Sequence, residues 1–150
     1  ARTFEAASYL RRNGADNTTV KMMFQDDMQT YRSRAKVVES AILMEQGIAI
    51  SACPPDIGYS PLIAAQAADE LISIKGIQAS FVLAEREGAI SISGRSLGDI
   101  NVQLILEKLG GGGHLAVAGA QLKGATMDAA VNRLTQAVHE YLQESGMGQT

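Results

Sequence analysis

Residues 109–119 read Leu109-Gly110-Gly111-Gly112-Gly113-His114-Leu115-Ala116-Val117-Ala118-Gly119, a run of four glycines followed at once by a histidine. Glycine loses more backbone freedom on folding than any other residue, so such a run needs a reason. A common reason is the close approach of several backbone N–H groups to a ligand, often a phosphate, and the ring of His114 can donate beside them. The alternative is a flexible turn after a helix, which explains one glycine better than four.

The sequence on both sides of the glycine run predicts regular elements. Before the run, a stripe of apolar residues at helical spacing predicts a short helix, and Asp99 or Asn101 is placed to cap it. After the run, residues 115–122 read as a strand, and an amphipathic helix follows from Met127 to Leu142. The stripe of the short helix consists of Val102, Ile105, Leu106 and Leu109.

The strand predicted over residues 90–95 alternates apolar and polar residues, so Ser91, Ser93 and Arg95 face away from Ile90 and Ile92. A guanidinium on such a polar face is suited to a phosphate or a carboxylate. The alternative is a surface arginine paired with an acidic neighbour, and the residues alone leave both interpretations open.

The upstream sequence predicts a mixed α/β domain. A long helix is predicted from about residue 18, with an apolar stripe that includes Met28, Tyr31 and Ile42. A buried strand over residues 48–53, a helix capped by Ser60 and a strand over residues 77–83 follow. We therefore expect a mixed sheet of three or four strands with helices packed on it.

Composition narrows the function classes. The 150 residues are 46% hydrophobic and carry a net charge of -3, which argues against broad electrostatic binding to nucleic acid. Cys53 is the single cysteine, so neither an internal disulfide nor a cysteine-based metal site is available. No apolar run reaches the roughly 20 residues of a membrane span, and the first residues lack the apolar core of a signal peptide. Apolar residues at helical spacing predict a helix over residues 2–12. Because the chain starts without methionine inside this helix, we expect a piece of a longer protein.

Several motifs in a fixed order resemble the DHHA1 domain, the C-terminal half of the DHH/DHHA1 phosphoesterases. They are Gly94-Arg95-Ser96, Asn101-Val102, the loop that ends in His114, and Ala118-Gly119. The resemblance covers residues 47–144. It implies that residues 1–46 hold the helical end of a DHH domain and a connector helix, and that residues 145–150 form a frayed tail. The sequence of these motifs most resembles that of the membrane-anchored cyclic-di-AMP phosphodiesterases, although Val117 stands where the family usually has alanine.

The resemblance also implies roles for individual residues. Arg95 and Ser96 would hold a phosphate, Asn101 would contact a base or sugar, and His114 would donate to the phosphate and stabilise charge in the transition state. Gly110 would belong to the binding loop, with the N–H groups of Gly111, Gly112 and Gly113 cradling the phosphate. The family hydrolyses phosphodiesters with a pair of manganese ions held by the DHH half. We therefore expect no metal ligand, no catalytic base and no activity in this chain alone.

The implied partners are a cyclic or linear dinucleotide or a short RNA, the DHH domain, and a second copy in a homodimer, with no direct membrane contact by this chain. The implied location is the cytoplasm, with the longer protein anchored at the cell membrane. Two alternatives remain open. One is the oligoribonuclease and nucleotide-phosphatase branch of the family, and the other is a non-catalytic RNA-binding module, for which the negative charge is unfavourable.

Overall fold

A computed structural model of the chain describes residues 27–55 and 61–147. The chain divides into two compact units, residues 1–31 and residues 32–150, and all described elements except the start of the first helix belong to the second unit. Four of the sequence predictions lie outside the described residues. They are the helix over residues 2–12, the start of the long helix, the Ser60 cap and the last residues of the tail.

The described chain contains four α-helices and six strands, whose bounds follow. The helices are α1 (Met28–Glu39), α2 (Pro61–Leu71), α3 (Val102–Glu107) and α4 (Met127–Glu144). The strands are β1 (Ile42–Met44), β2 (Ile48–Ala52), β3 (Ala79–Arg86), β4 (Ala89–Ser96), β5 (Gly112–Gly113) and β6 (Val117–Lys123).

The strands form one mixed sheet in the order β1-β2-β3-β4-β6-β5. Strands β2 and β3 are parallel, as expected for strands joined through a helix, and the other neighbours are antiparallel. The predicted mixed sheet is confirmed, but it has six strands in the described residues instead of three or four. The two additional strands, β1 and β5, lie at the edges and are too short to show an alternating pattern.

Helices cover both faces of the sheet. Helices α3 and α4 pack on one face, where Phe81, Ile92 and Leu106 are almost fully buried. Helices α1 and α2 pack on the other, which we call the α2 face, and its core includes Val82 and Ala68. The small residues of α2 allow this close packing, as the sequence predicted. The alternation predicted for β4 is also confirmed, since Ile90, Ile92 and Gly94 are buried while Ser91, Ser93 and Arg95 are half-buried.

The prediction for the α1 stripe was wrong. Met28 and Tyr31 are 62% and 56% exposed, and Ile42 belongs to the edge strand β1. The helix instead buries Ser33, Arg34 and Val37. Arg34 tolerates burial because its Nε donates to Glu70 Oε1 on α2 at 2.5 Å and its Nη1 donates to Gln66 Oε1 at 3.3 Å. Those partners are more than thirty residues away in the sequence, so helical spacing could not reveal them.

Candidate phosphate and nucleotide site

The glycine run and His114 form a tight hairpin at the sheet edge. Gly112 and Gly113 of β5 pair with Gly119 and Ala118 of β6. His114 closes the hairpin, because its N–H donates to the Val117 carbonyl at 2.7 Å and its own carbonyl accepts from the Val117 N–H at 3.3 Å. The hairpin turn packs against the rest of the domain through the Ser96 and Val102 N–H groups, which donate to the carbonyls of Ala116 and Leu115.

A hydrogen bond fixes the ring of His114. Its Nδ1 accepts from the Ala116 N–H at 3.2 Å, so the neutral ring carries its proton on Nε2. The side chain is exposed, and Nε2–H is therefore a donor available to a ligand. This geometry places the donor that the sequence predicted for His114 on one defined nitrogen.

The structure explains why three of these four positions are occupied by glycine, each for a different reason. Gly110 follows the end of α3 with a φ of +83°, the left-handed conformation that often ends a helix. A Cβ on Gly111 would lie 2.2 Å from the Gly119 carbonyl oxygen, so this residue lets the loop lie close against β6. Gly113 combines a φ of +142° with a Cβ position only 2.6 Å from the Val117 carbonyl oxygen. Gly112 has neither constraint, since a Cβ there would meet nothing within 4 Å.

The glycine amides do not form the expected cradle of three N–H groups. The N–H groups of Gly110 and Gly111 donate to the carbonyls of Glu107 and Leu106 at the end of α3. His114 and Val117 are a hydrogen-bonded pair, and bonded pairs alternate along an antiparallel ladder. Gly112 therefore bonds with Gly119, while the Gly113 N–H points away from β6 along the sheet edge. One glycine amide, that of Gly113, is left for a ligand.

Arg95 lies on the α2 face of the sheet, directly opposite Val117 in the register of β4 and β6. Its Nε donates to Asp69 Oδ1 at 2.8 Å, and its Nη1 donates to the Gly94 carbonyl at 2.9 Å. The acidic neighbour that the sequence left open is therefore Asp69 on α2. The sequence interpretation did not single out Asp69, although the residue sits beside the buried Ala68 at the border of the α2 stripe. The remaining N–H groups of the guanidinium can still meet an anion.

Ser96 and Asn101 serve the local structure. Ser96 is buried on the face opposite Arg95, and its Oγ accepts from the Gly98 N–H at 2.9 Å. Asn101 caps α3, as predicted, with its Oδ1 accepting from the Leu104 N–H at 3.1 Å. The structure does not bring the Ser96 hydroxyl together with Arg95. Of the predicted binding residues, it gathers Arg95, Gly112, Gly113 and His114 around one stretch of β6.

The gathered residues share an open surface. Residues directly opposite each other in a sheet point to the same side, which places Arg95, Val117 and His114 on the α2 face. Helix α2 covers the middle of this face, while Val117 and Gly119 of β6 remain exposed. The surface offers a guanidinium, an imidazole N–H and one peptide N–H, which are donors suited to a phosphate or carboxylate.

Three groups among the described residues have shifted pKa values. The Thr30 N–H donates to Asp27 Oδ1 at 2.7 Å and lowers the pKa of Asp27. A hydrogen bond from Lys108 Nζ to Glu144 Oε1, at 2.8 Å, raises the pKa of Lys108. Burial raises the pKa of the Cys53 thiol to about 11, which keeps it protonated and unreactive near neutral pH. In residues 27–55 and 61–147, no three His, Cys, Asp or Glu side chains cluster as a metal site would require. None of the helices in those same ranges is both long and apolar enough to span a membrane.

Curated relatives match nearly the whole chain. PdeA of Listeria monocytogenes, a cyclic-di-AMP phosphodiesterase, is 48% identical over 142 residues, which are 94% of this chain and 22% of the relative. The cyclic-di-AMP phosphodiesterase GdpP of Geobacillus thermodenitrificans is 45% identical over 144 residues, or 95% of this chain and 22% of the relative. The bifunctional oligoribonuclease and PAP phosphatase NrnA of Thermus thermophilus is 34% identical over 121 residues, or 77% of this chain and 36% of the relative. The chain thus spans about a fifth of the length of the cyclic-di-AMP phosphodiesterases that it matches.

Solved structures and family profiles agree with this result. An exopolyphosphatase-related protein from Bacteroides fragilis superposes with a TM-score of 0.71 at 23% identity, over 95% of this chain and 44% of that one. RecJ from Thermus thermophilus superposes with a TM-score of 0.53 at 17% identity, over 86% of this chain and 24% of that one. At these identities the likeness shows a shared fold. Comparison with family profiles matches residues 45–144 to the DHHA1 domain. The chain therefore belongs to the DHHA1 domain family, within the DHH group of phosphoesterases.

Proposed function

We propose that this chain is the nucleotide-binding DHHA1 domain of a phosphodiesterase that hydrolyses cyclic-di-AMP to a linear dinucleotide. The observation that carries the proposal is the placement of Arg95 and the His114 Nε2–H on one open sheet face, on either side of Val117. The two relatives named as cyclic-di-AMP phosphodiesterases, at 48% and 45% identity, support the choice of substrate. The 34% identity to an oligoribonuclease and PAP phosphatase supports the second candidate, hydrolysis of short linear RNA or of nucleotide phosphates.

The residues of this chain bind and orient the substrate. Arg95 and the His114 Nε2–H contact phosphate oxygens, and the Gly113 N–H adds a third donor at the sheet edge. Gly110, Gly111, Ser96 and Asn101 hold the hairpin and the start of α3 in place. A hydrogen bond to a charged group contributes roughly 1.5–3 kcal/mol, so removing one of the two side-chain donors weakens binding about 10- to 150-fold.

The metal chemistry belongs to another part of the protein. The described residues do not fit the manganese centre that the family resemblance implies, because they contain no cluster of three candidate ligands. We assign that centre to a DHH domain in a longer protein, and this chain alone binds nucleotide without hydrolysing it. We also place the chain in the cytoplasm, within a membrane-anchored protein that can form a homodimer.

The test compares variants of the longer protein in manganese-dependent hydrolysis of cyclic-di-AMP and of a linear diadenylate. Arg95→Gln and His114→Gln should raise KM at least tenfold. His139→Gln, an exposed histidine on α4, is the matched control and should leave the kinetics unchanged. Unaltered kinetics in both site variants would refute the binding role. A preference for the linear substrate over the cyclic one would favour the second candidate, and manganese-dependent turnover by this chain alone would refute the division of roles.

A further inference from the structure

Val117 lies between the two side-chain donors of the proposed site. It is the register partner of Arg95 on β4, and it exchanges both backbone hydrogen bonds with His114 on the hairpin. Neighbouring strands are about 4.8 Å apart, so the backbones of Arg95 and His114 are separated by roughly 10 Å with Val117 midway. The isopropyl group of Val117, which is 51% exposed, therefore lies on the surface beside any ligand that these two donors bind.

Two glycines extend this position into a flat surface. Gly119 follows Val117 on the same side of β6, and its register partner is Gly112 on β5. Neither has a positive φ, and a Cβ would meet nothing within 4 Å at Gly112 and only an ordinary 3.4 Å contact at Gly119. Every other described glycine has either a positive φ or a crowded Cβ position. Neither the backbone conformation nor the packing therefore explains why these two cross-strand neighbours are glycines.

Two leucines close to these donors in the sequence are exposed. Leu97, two residues beyond Arg95, is 61% exposed, and Leu115 in the hairpin turn is 40% exposed. Exposed apolar groups that adjoin charged donors suit a ligand with an anionic end and a flat, weakly polar body. A nucleoside phosphate has this chemistry, whereas inorganic phosphate or polyphosphate has no body to cover the apolar part.

We propose that Val117, Gly112 and Gly119 form the floor on which the base and ribose of the bound nucleotide lie. This inference rests on the proposed function, since it assumes that Arg95 and His114 hold the phosphate. The inference adds that the nucleoside is bound here by contact with the backbone of two glycines and the side chain of one valine. The floor therefore makes the site selective for nucleotides over simple phosphates.

The test titrates the ¹⁵N-labelled chain with inorganic phosphate, ribose 5-phosphate and AMP, and follows the amide signals of Gly113 and His114. AMP should bind about tenfold more tightly than ribose 5-phosphate, because the base adds apolar contact. Val117→Thr keeps the shape of the side chain, and it should weaken AMP about fivefold, the factor for roughly 40 Å² of apolar contact. Gly119→Ala, which the fold can accommodate, should weaken AMP by a similar factor. Both variants should leave phosphate affinity within about twofold.

Ile42→Thr is the matched control, because Ile42 is an exposed β-branched residue on β1 at the opposite sheet edge. It should change none of the affinities. Two results would refute the floor and leave the phosphate site intact. One is that phosphate binds but AMP binds no more tightly than ribose 5-phosphate. The other is that Val117→Thr and Gly119→Ala leave AMP affinity unchanged. If phosphate shifts neither the Gly113 nor the His114 signal, the proposed function fails and the floor fails with it.

Discussion

Gly111 and Gly112 are adjacent, yet the structure predicts that alanine destabilises the fold at Gly111 and not at Gly112. A Cβ on Gly111 would lie 2.2 Å from the Gly119 carbonyl oxygen and 2.6 Å from the Ala120 Cβ, and both distances must lengthen to at least 3.0 Å. The loop cannot retreat freely, because the Gly111 N–H is bonded to the Leu106 carbonyl at 2.8 Å. Overpacking of this kind costs about 1–3 kcal/mol, so Gly111→Ala should lower the free energy of unfolding by that amount.

Thermal unfolding followed by circular dichroism measures the difference. For a chain of this size 1 kcal/mol shifts Tm by roughly 2–4 °C, so Gly111→Ala should lower Tm by about 2–12 °C. Gly112→Ala is the matched control, because a Cβ there meets nothing within 4 Å and the backbone φ is ordinary. Its Tm should stay within about 2 °C of the wild type, or rise, since alanine restricts the unfolded chain. Equal destabilisation by the two substitutions would refute this assignment of the glycines.

Three further predictions follow from contacts around the site and in the core. Asp69→Asn should raise phosphate affinity by up to about fivefold in the same titration, because an exposed carboxylate no longer competes for Arg95; weaker binding would mean that Asp69 orients the guanidinium. Asn101→Ala should cost about 1 kcal/mol in urea unfolding through loss of the α3 cap, whereas Asn101→Asp keeps the cap and the stability. The Cys53 thiol should resist Ellman's reagent at pH 8 in the folded chain. Because folding raises its pKa to about 11, its contribution to stability is complete below pH 9.0 and is lost as the pH rises through about 11; rapid labelling or stability unchanged from pH 9.0 to 11 would contradict this.

Patterns of side chains made the central part of the fold predictable. The alternation in β4 identified which residues are buried, and the small residues of α2 predicted close packing on the sheet. The same approach failed for α1 because the helix buries Arg34, whose partners on α2 are distant in the sequence. Strand β5 could not be predicted either, since Gly112 and Gly113 have no side chains to alternate.

The residues of the candidate site could be singled out from the sequence, but their arrangement in the fold could not. His114 and Arg95 carry side chains whose chemistry is visible in the sequence, and the structure places both on one face. The glycines are identical letters, and only the backbone angles and the neighbours of each Cβ distinguish a helix end, a close approach and an open position. The expected amide cradle was therefore replaced by one amide at Gly113 and a bare surface at Gly112.

Helix α2 connects the proposed site to α1 through two adjacent carboxylates. Asp69 accepts from Arg95 at the site, and Glu70 accepts from the buried Arg34 on α1. A shift of α2 along the sheet would therefore disturb both arginines, since neighbouring residues of one helix turn move together. The two ion pairs are similarly exposed, since the arginine side chains are 10% and 16% exposed and the carboxylates 46% and 61%. The pair of Arg95 and Asp69 is the more open of the two, so an anion that binds Arg95 competes with a carboxylate that water can also reach, while the ion pair of Arg34 and Glu70 holds α2 on α1.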